Sequence, residues 1–338
     1  MDSERGGLPP TPATAADRRS FDLFPGAGGT TASASTTTVL VAFLTNILVA
    51  VAKSVAAAVT GSASMLAEAA HSWADAGNEI FLMTANRRSR RPPDARHPIG
   101  SGKEAYVWSL IAALGLLAAG GAVSIMRGVQ ELLEPTAGGD FAVAYVVLAV
   151  AFVLESVSFA QSIRQSKPEA ESMHRDLIEH VLVTSDPTLR AVVVEDAAAL
   201  VGLVLAAVGL MASELTDSST PDGIASILIG VLLGAVAMVL INLNRRFLVG
   251  EEVDPRVREA ALRELLGMPE VARVTYLRLE VAGPRSVLIV GDVDLIGDEV
   301  ESRLAVRLRT LEAKIRDSPA VAGAVLSLSA PDEPSLSV

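Results

Sequence analysis

A histidine and an aspartate four residues apart lie in an apolar stretch about as long as a bilayer is thick. The stretch spans residues 65–85, and the pair is His71 and Asp75. Positions i and i+4 share one face of a helix, and an imidazole with a carboxylate supplies half of a tetrahedral metal site. Because a charge at bilayer depth is costly, such a group is usually retained for a site or a pathway. The spacing therefore predicts a metal-binding face on a membrane helix.

A second apolar stretch carries Glu195 and Asp196. Asp186–Pro187 is a good helix start, so Asp196 lies ~14 Å into the membrane at 1.5 Å per residue, and Asp75 lies ~15 Å from the cytoplasmic end of its own stretch. Matching depth is what a site shared by two helices requires. Glu195 points about 100° away from Asp196 on an ideal helix.

Other polar residues in the apolar stretches leave the ligand set open. Glu68 and Glu155 are further candidates, although each could equally form a structural contact between helices. Asn46 and Lys53 share a face of the first stretch, and nothing in the sequence assigns them a role beyond the access path.

The elements that must position these groups are membrane spans. Half of the 338 residues are apolar, and the mean hydropathy is +0.43. Six apolar segments approach the ~20 residues needed to span a bilayer, at about 39–59, 64–85, 106–126, 141–162, 188–212 and 223–243. We expect a disordered N-terminal tail at 1–36, a transmembrane domain at 37–248, a soluble domain at 249–330 and a C-terminal tail at 331–338.

The charges of the loops predict the orientation. Basic residues concentrate in the connections after the second, fourth and sixth segments, whereas the alternate connections are nearly free of them. Because positive loops stay in the cytoplasm, both termini are expected inside. The chain has no cysteine, which excludes disulfides and thiolate metal sites.

The last ~95 residues predict a small α+β layer. Helical spacing covers 256–266 and 300–315, and β-branched or alternating runs cover 271–281, 287–295 and 320–328. The order αββαβ suits two helices on one face of a sheet, a ferredoxin-like arrangement.

Two stretches together resemble the cation diffusion facilitator family, namely GSASMLAEAAHSWAD (61–75) and HPIGSGKEAYVW (97–108). The resemblance implies a homodimeric exporter of Zn²⁺ or a related divalent ion, such as Mn²⁺, Fe²⁺, Co²⁺ or Cd²⁺, in exchange for protons. It makes His71 and Asp75 two ligands of the transport site and Asp196 a third. The Glu-Asp pair resembles the branch with the vertebrate mitochondrial-type zinc transporter.

The sequence departs from the family pattern at three places. Val192 stands where a ligand histidine is usual, so Glu195, Glu155 and Glu68 are the candidates for the fourth ligand. Ser101 stands where a second loop histidine would be, which leaves Asp94 and His97 as either a weak loop site or a loop-structuring pair. Histidine is also absent from residue 250 onward, so the tail is expected to mediate dimer contact rather than bind zinc.

Two other classes of function compete with metal transport. An intramembrane metallohydrolase is disfavoured because the HExxH signature is absent, and a proton-coupled carrier of another solute remains an alternative. We therefore expect no enzyme, no resident cofactor and no nucleic-acid partner. The expected location is the inner (plasma) membrane of a bacterium. Histidines 174 and 180 are expected on a solvated amphipathic helix.

Overall fold

Long helices make up the first two thirds of the chain. The computed structural model describes Leu23, residues 36–135 and residues 141–338, with residues 36–42 described as helix only. The long helices are α1 (Thr36–Thr60), α2 (Ala63–Ser89), a helix built of α3 (Glu104–Gly115), a π-helical segment (Leu116–Ala122) and α4 (Val123–Leu133), then α5 (Ala142–Ser172), α7 (Pro187–Thr216) and α8 (Thr220–Val249). A short helix, α6 (Leu177–Val183), joins α5 to α7. Apart from Leu23 and Thr36, the predicted disordered tail at 1–36 lies outside the described residues.

Five of the six long helices in the described ranges are long and apolar enough to cross a bilayer. The exception is α2, which has 27 residues but a polar face that includes Glu68, His71 and Asp75. The helices α1, α3, α7 and α8 pack against it, and both Glu68 and His71 are buried. The predicted six-helix membrane part is thus confirmed, with α2 held inside the bundle by its polar face.

Side-chain caps fix where the two site-bearing helices begin. Asp186 accepts hydrogen bonds from the backbone N–H groups of Thr188 (3.0 Å) and Leu189 (3.2 Å) at the start of α7, as its place before a proline predicts. Ser62 caps α2. The buried carboxylate of Asp222, on α8, accepts from Ser62 Oγ at 2.9 Å, so this end of α2 is tied to α8.

Glycines bring α4 and the preceding π-helical segment into backbone contact with α8. A Cβ added at Gly128 would lie 2.5 Å from the carbonyl oxygen of Gly223, and one at Gly230 would lie 2.7 Å from that of Gly121. Small residues at membrane helix interfaces permit such an approach. No larger side chain fits at Gly128 or Gly230 without moving a helix.

The C-terminal part forms the predicted αββαβ layer. Its elements are α9 (Pro255–Leu266), β1 (Val271–Gly283), β2 (Ser286–Leu295), α10 (Glu301–Arg316) and β3 (Val321–Leu328). β1 and β2 pair antiparallel, and β2 pairs parallel with β3, in the order β1-β2-β3. Alternate residues of β2 are buried, so one face of the sheet packs on the helices. The backbone N–H of Leu336, in the predicted tail 331–338, donates to Val274 O at 2.8 Å.

The turn between β1 and β2 packs against the membrane part. A Cβ on Gly102, in the α2–α3 loop, would lie 2.4 Å from Ala282 O. Lys103 forms an ion pair with Glu280 at 2.9 Å. Arg285 donates from its backbone N–H to Ser185 Oγ at 3.1 Å, just before α7. The turn, residues 282–286, therefore contacts the loop that follows α2 and the residue just before α7, the two helices that carry His71, Asp75, Glu195 and Asp196.

Candidate metal-transport site

A cavity of about 120 Å³ lies among α1, α2, α5 and α7. Among the described residues, the ionisable groups that line it are all carboxylic acids, namely Asp75, Glu79, Glu155, Glu195 and Asp196. Asn46, Asn78, Ser72 and Ser158 add neutral polar groups, and Val192 lies on the wall. Carboxylates and amides at bilayer depth are unusual, and oxygen-rich surroundings are suited to divalent cations.

The two carboxylates of α7 have different partners. Glu195 accepts a short hydrogen bond from Asn78 Nδ2 on α2, and Asp196 accepts one from Ser158 Oγ on α5 at 3.0 Å. Despite the ~100° step between consecutive helical residues, both side chains line the same cavity. α7 thus presents one carboxylate toward α2 and the other toward α5.

His71 lies beside this cavity without lining it. Its side chain is 1% exposed, and Nδ1 is 3.3 Å from Asp75 Oδ1. Neither ring nitrogen, nor Asp75 Oδ1, has a geometrically satisfactory hydrogen bond within the described part of the chain. Since buried polar atoms are nearly always satisfied, these groups are available to an ion.

Glu68 is engaged elsewhere. Lys53 Nζ donates to Glu68 Oε2 at 2.9 Å, and both side chains are 0% exposed. Glu68 does not line the cavity. Glu155 does, which makes it the better placed of the two additional candidates.

The loop pair Asp94 and His97 is exposed, and its contacts are local. Asp94 Oδ1 accepts from the backbone N–H groups of Arg96 (2.8 Å) and His97 (2.7 Å), with His97 Nδ1 3.1 Å away. The two backbone N–H bonds lower the pKa of Asp94. This geometry favours the loop-structuring alternative.

Among the residues that the structure describes, no three histidine, aspartate or glutamate side chains converge closely enough to hold an ion. The structure brings Asp75, Glu195 and Asp196 to one cavity and places His71 at its edge. In this geometry the four side chains would have to turn inward to hold an ion together.

Sequence reasoning missed the serines of α5. Ser158 and Ser162 both approach Asp196 Oδ2, at 3.0 and 3.5 Å. Glu155, Ser158 and Ser162 occupy positions i, i+3 and i+7, which lie on one face of a helix. That face could have been found by extending the search to hydroxyl groups.

A second cavity, of about 280 Å³, lies where the C-terminal part meets α5, α6 and α8. His180 lines it, and its side chain is buried rather than solvated, contrary to our expectation for this helix. Burial lowers the pKa of His180, with Arg175 and Arg285 acting in the same direction and Glu169 and Asp186 opposing them.

Comparison with known proteins identifies the family. The profile of the cation efflux transmembrane domain matches residues 39–249. The chain belongs to this family, the cation diffusion facilitators, as the two motifs predicted. The family is one of transport proteins rather than enzymes, and the match agrees with a multi-pass membrane protein.

Individual relatives differ in what their names say they transport. Metal tolerance protein C4 of Arabidopsis thaliana is 36% identical over 236 residues, covering 70% of this chain and 52% of the relative. The mitochondrial proton-coupled zinc antiporter SLC30A9 of Xenopus laevis is 32% identical, covering 70% and 43%. The manganese efflux system protein MneP of Bacillus subtilis is 24% identical, covering 74% and 81%. The chain spans about half the length of the first two.

Proposed function

We propose that this protein exports a divalent metal ion, Zn²⁺ before others, in exchange for protons and by alternating access. The observation that carries the proposal is the cavity that carboxylates of three helices line, with Asp75 on α2, Glu155 on α5 and Asp196 on α7. A site at the depth of the bilayer, between helices that can move relative to one another, is the general solution of secondary transporters.

The proposed ligands are His71, Asp75 and Asp196, with Glu195 as the fourth. Glu195 lines the cavity, and Asn78 already orients it. Glu155 is the next choice for the fourth position. Glu68 is the least favoured, because its carboxylate is paired with Lys53.

Proton coupling would follow from the chemistry of these ligands. A metal ion binds carboxylate and neutral imidazole, so its arrival expels any protons that they hold. The returning protons would then compete with the metal on the other side of the membrane. Histidine suits this exchange because its ordinary pKa is close to physiological pH.

Manganese is the second candidate cargo. The cavity lining holds five carboxylic acids, and His71 is outside it; oxygen ligands favour Mn²⁺, whereas imidazole favours Zn²⁺. The relative from Bacillus subtilis is named for manganese efflux. Fe²⁺ belongs to the same class of cargo.

For the whole chain we propose a transmembrane transport domain at 37–248 and a cytoplasmic domain at 249–330, in a two-fold dimer in a bacterial inner membrane with both termini inside. Cyclic two-fold dimers are the commonest oligomers, and the loop charges support the orientation.

Flux into proteoliposomes with Zn²⁺, Mn²⁺, Cd²⁺ and Fe²⁺ tests the proposal, with an internal pH dye recording protons. We expect metal uptake to be driven by an outward-directed proton gradient and to move protons in the opposite direction. Metal flux that is indifferent to the gradient would refute proton exchange, and no flux of any of the four ions would refute the cargo class.

A further inference from the structure

The Lys53–Glu68 ion pair has no part in the transport site proposed above. It joins α1 to α2 inside the bundle, with both side chains 0% exposed. Glu68 Oε1 has no hydrogen-bond partner within the described ranges, and it lies 2.5 Å from where a Cβ on Gly202 of α7 would be. The pair therefore connects α1 and α2 and presses against α7.

This ion pair lies at one end of the transport cavity. The cavity reaches residues 46 and 49 of α1 and residues 72–82 of α2, and on α7 it extends from Val192 to Ala199. With the termini inside, all of these positions are on the cytoplasmic side of Lys53, Glu68 and Gly202. The cavity is thus placed for access from the cytoplasm.

Beyond the ion pair, toward the outside, the bundle is filled. Ala57, Met65, Leu203, Ala206 and Leu210 belong to one buried apolar cluster there. The outer end of α2 is additionally held by Asp222 of α8. An ion in the cavity would meet first the ammonium group of Lys53 and then this apolar layer.

We propose that the Lys53–Glu68 ion pair is the extracytoplasmic gate of the transport path; the proposal rests on the proposed transport function. In this state the fixed positive charge repels a metal ion from the exit and keeps α1, α2 and α7 closed. Lys53 also interacts electrostatically with Asp75 and Glu155 of the cavity, so a cation held there weakens the attraction that keeps Lys53 in place. Loading of the site thereby favours opening.

The absence of native cysteine permits a direct test of the gate. Ala206→Cys places a thiol at a position that is 0% exposed, and a membrane-impermeant maleimide is applied from each side of oriented vesicles. We expect the Ala206→Cys protein with the ion pair intact, the parent of the variants below, to resist labelling from outside. Lys53→Met or Glu68→Gln leaves one buried charge unpaired, which favours a state where water reaches it. Either change should speed outside labelling at least on the order of tenfold.

The double variant Lys53→Met/Glu68→Gln distinguishes a gate from a general packing role. It removes both charges, so no unpaired buried charge remains to favour a state that water reaches. Labelling from outside should therefore be slower in the double variant than in either single variant. Leu82→Cys, on the cavity wall, is the cytoplasmic control, and gate opening should slow its labelling from inside. If one single variant fails to fold, the other carries the test.

If folded single variants are labelled from outside at the parent rate, the proposal that the ion pair is a gate is refuted. Labelling that rises further in the double variant would also refute it, because this result would indicate looser packing. The labelling assay requires no metal. If the single variants label faster as expected but the protein shows no metal flux, the gate proposal is retained and the proposed cargo is refuted.

Discussion

Asp75 and Asp196 reach one cavity from different helices, and both lie where an apolar residue would be tolerated. Removing a buried carboxylate that has no cationic partner in direct contact removes a cost rather than an attraction. We predict that Asp75→Ala and Asp196→Ala each reduce metal flux to the background of empty vesicles, while unfolding free energies change by less than about 1 kcal/mol or rise. Glu214→Ala, at the exposed far end of α7, is the control. Wild-type flux in either purified variant would remove that residue from the site.

A substitution at Val192 tests which residue is the fourth ligand. Val192 and Asp196 share a face of α7 as His71 and Asp75 share one of α2, and Val192 lines the cavity. We predict that Val192→His tightens Zn²⁺ binding and shifts selectivity away from Mn²⁺, since an imidazole replaces the isopropyl side chain of valine. Competition binding of the two ions measures both effects.

Glu195→Ala completes this test. If Glu195 is the native fourth ligand, its loss should lower flux by about 10-fold or more, and Val192→His should restore part of it. Val201→His, on an exposed face of α7, should restore none. Normal flux in Glu195→Ala would transfer the role to Glu155.

At the scale of elements, the sequence allowed most helices and strands to be predicted because their signals are local. Asp186–Pro187 marks the start of α7, and the alternation in β2 predicts a strand with one buried face. The i, i+4 spacing likewise predicts the polar face of α2. Contacts between distant segments were not predictable, because periodicity says which face is polar but not what it meets. The pairing of Lys53 with Glu68 and the burial of His180 are of this kind.

The burial of His180 makes the junction between α6 and the C-terminal part sensitive to acid. Its pKa is lowered in the folded state, so the undocked state binds the proton more readily. The stabilising contribution is complete above the ordinary pKa of histidine, near 6.5, and is lost as pH falls below it. Between pH 7.5 and 5.5, the melting temperature of the wild-type chain should therefore fall by more than that of the His180→Asn variant. His174→Asn, at an exposed histidine, should behave as wild type; equal pH responses in all three would refute the prediction.

The contact between Gly102 and the β1–β2 turn leaves no room for a side chain. Gly102→Ala would place a Cβ 2.4 Å from Ala282 O, so we predict that it destabilises docking of the turn by about 1–3 kcal/mol. Faster hydrogen exchange at residues 282–286 would report the change. Gly115→Ala, where a Cβ meets none of the described heavy atoms within 4 Å, is the control and should leave exchange unaltered.

For the whole molecule, we expect assembly to be independent of metal at the C-terminal part. Residues 250–338 contain no histidine or cysteine, and exposed carboxylates alone hold Zn²⁺ weakly. In the double variant Asp75→Ala/Asp196→Ala, which lacks two of the four proposed transport ligands, micromolar Zn²⁺ and excess chelator should give the same mass and melting temperature. A rise of several degrees with Zn²⁺ would reveal a further site, because a ligand that binds only the folded state raises its stability.

The glycine contacts between α4 and α8 bear on how the molecule can move. Backbones in direct contact cannot slide or rotate without collision, since no flexible side chain lies between them to yield. These two helices are therefore expected to move together as one unit. A reorientation that exposes the cavity to the other side is then expected at the other interfaces, among α1, α2, α5 and α7, whose residues line the cavity. The carboxylates of the cavity lie on α2, α5 and α7, outside the unit formed by α4 and α8.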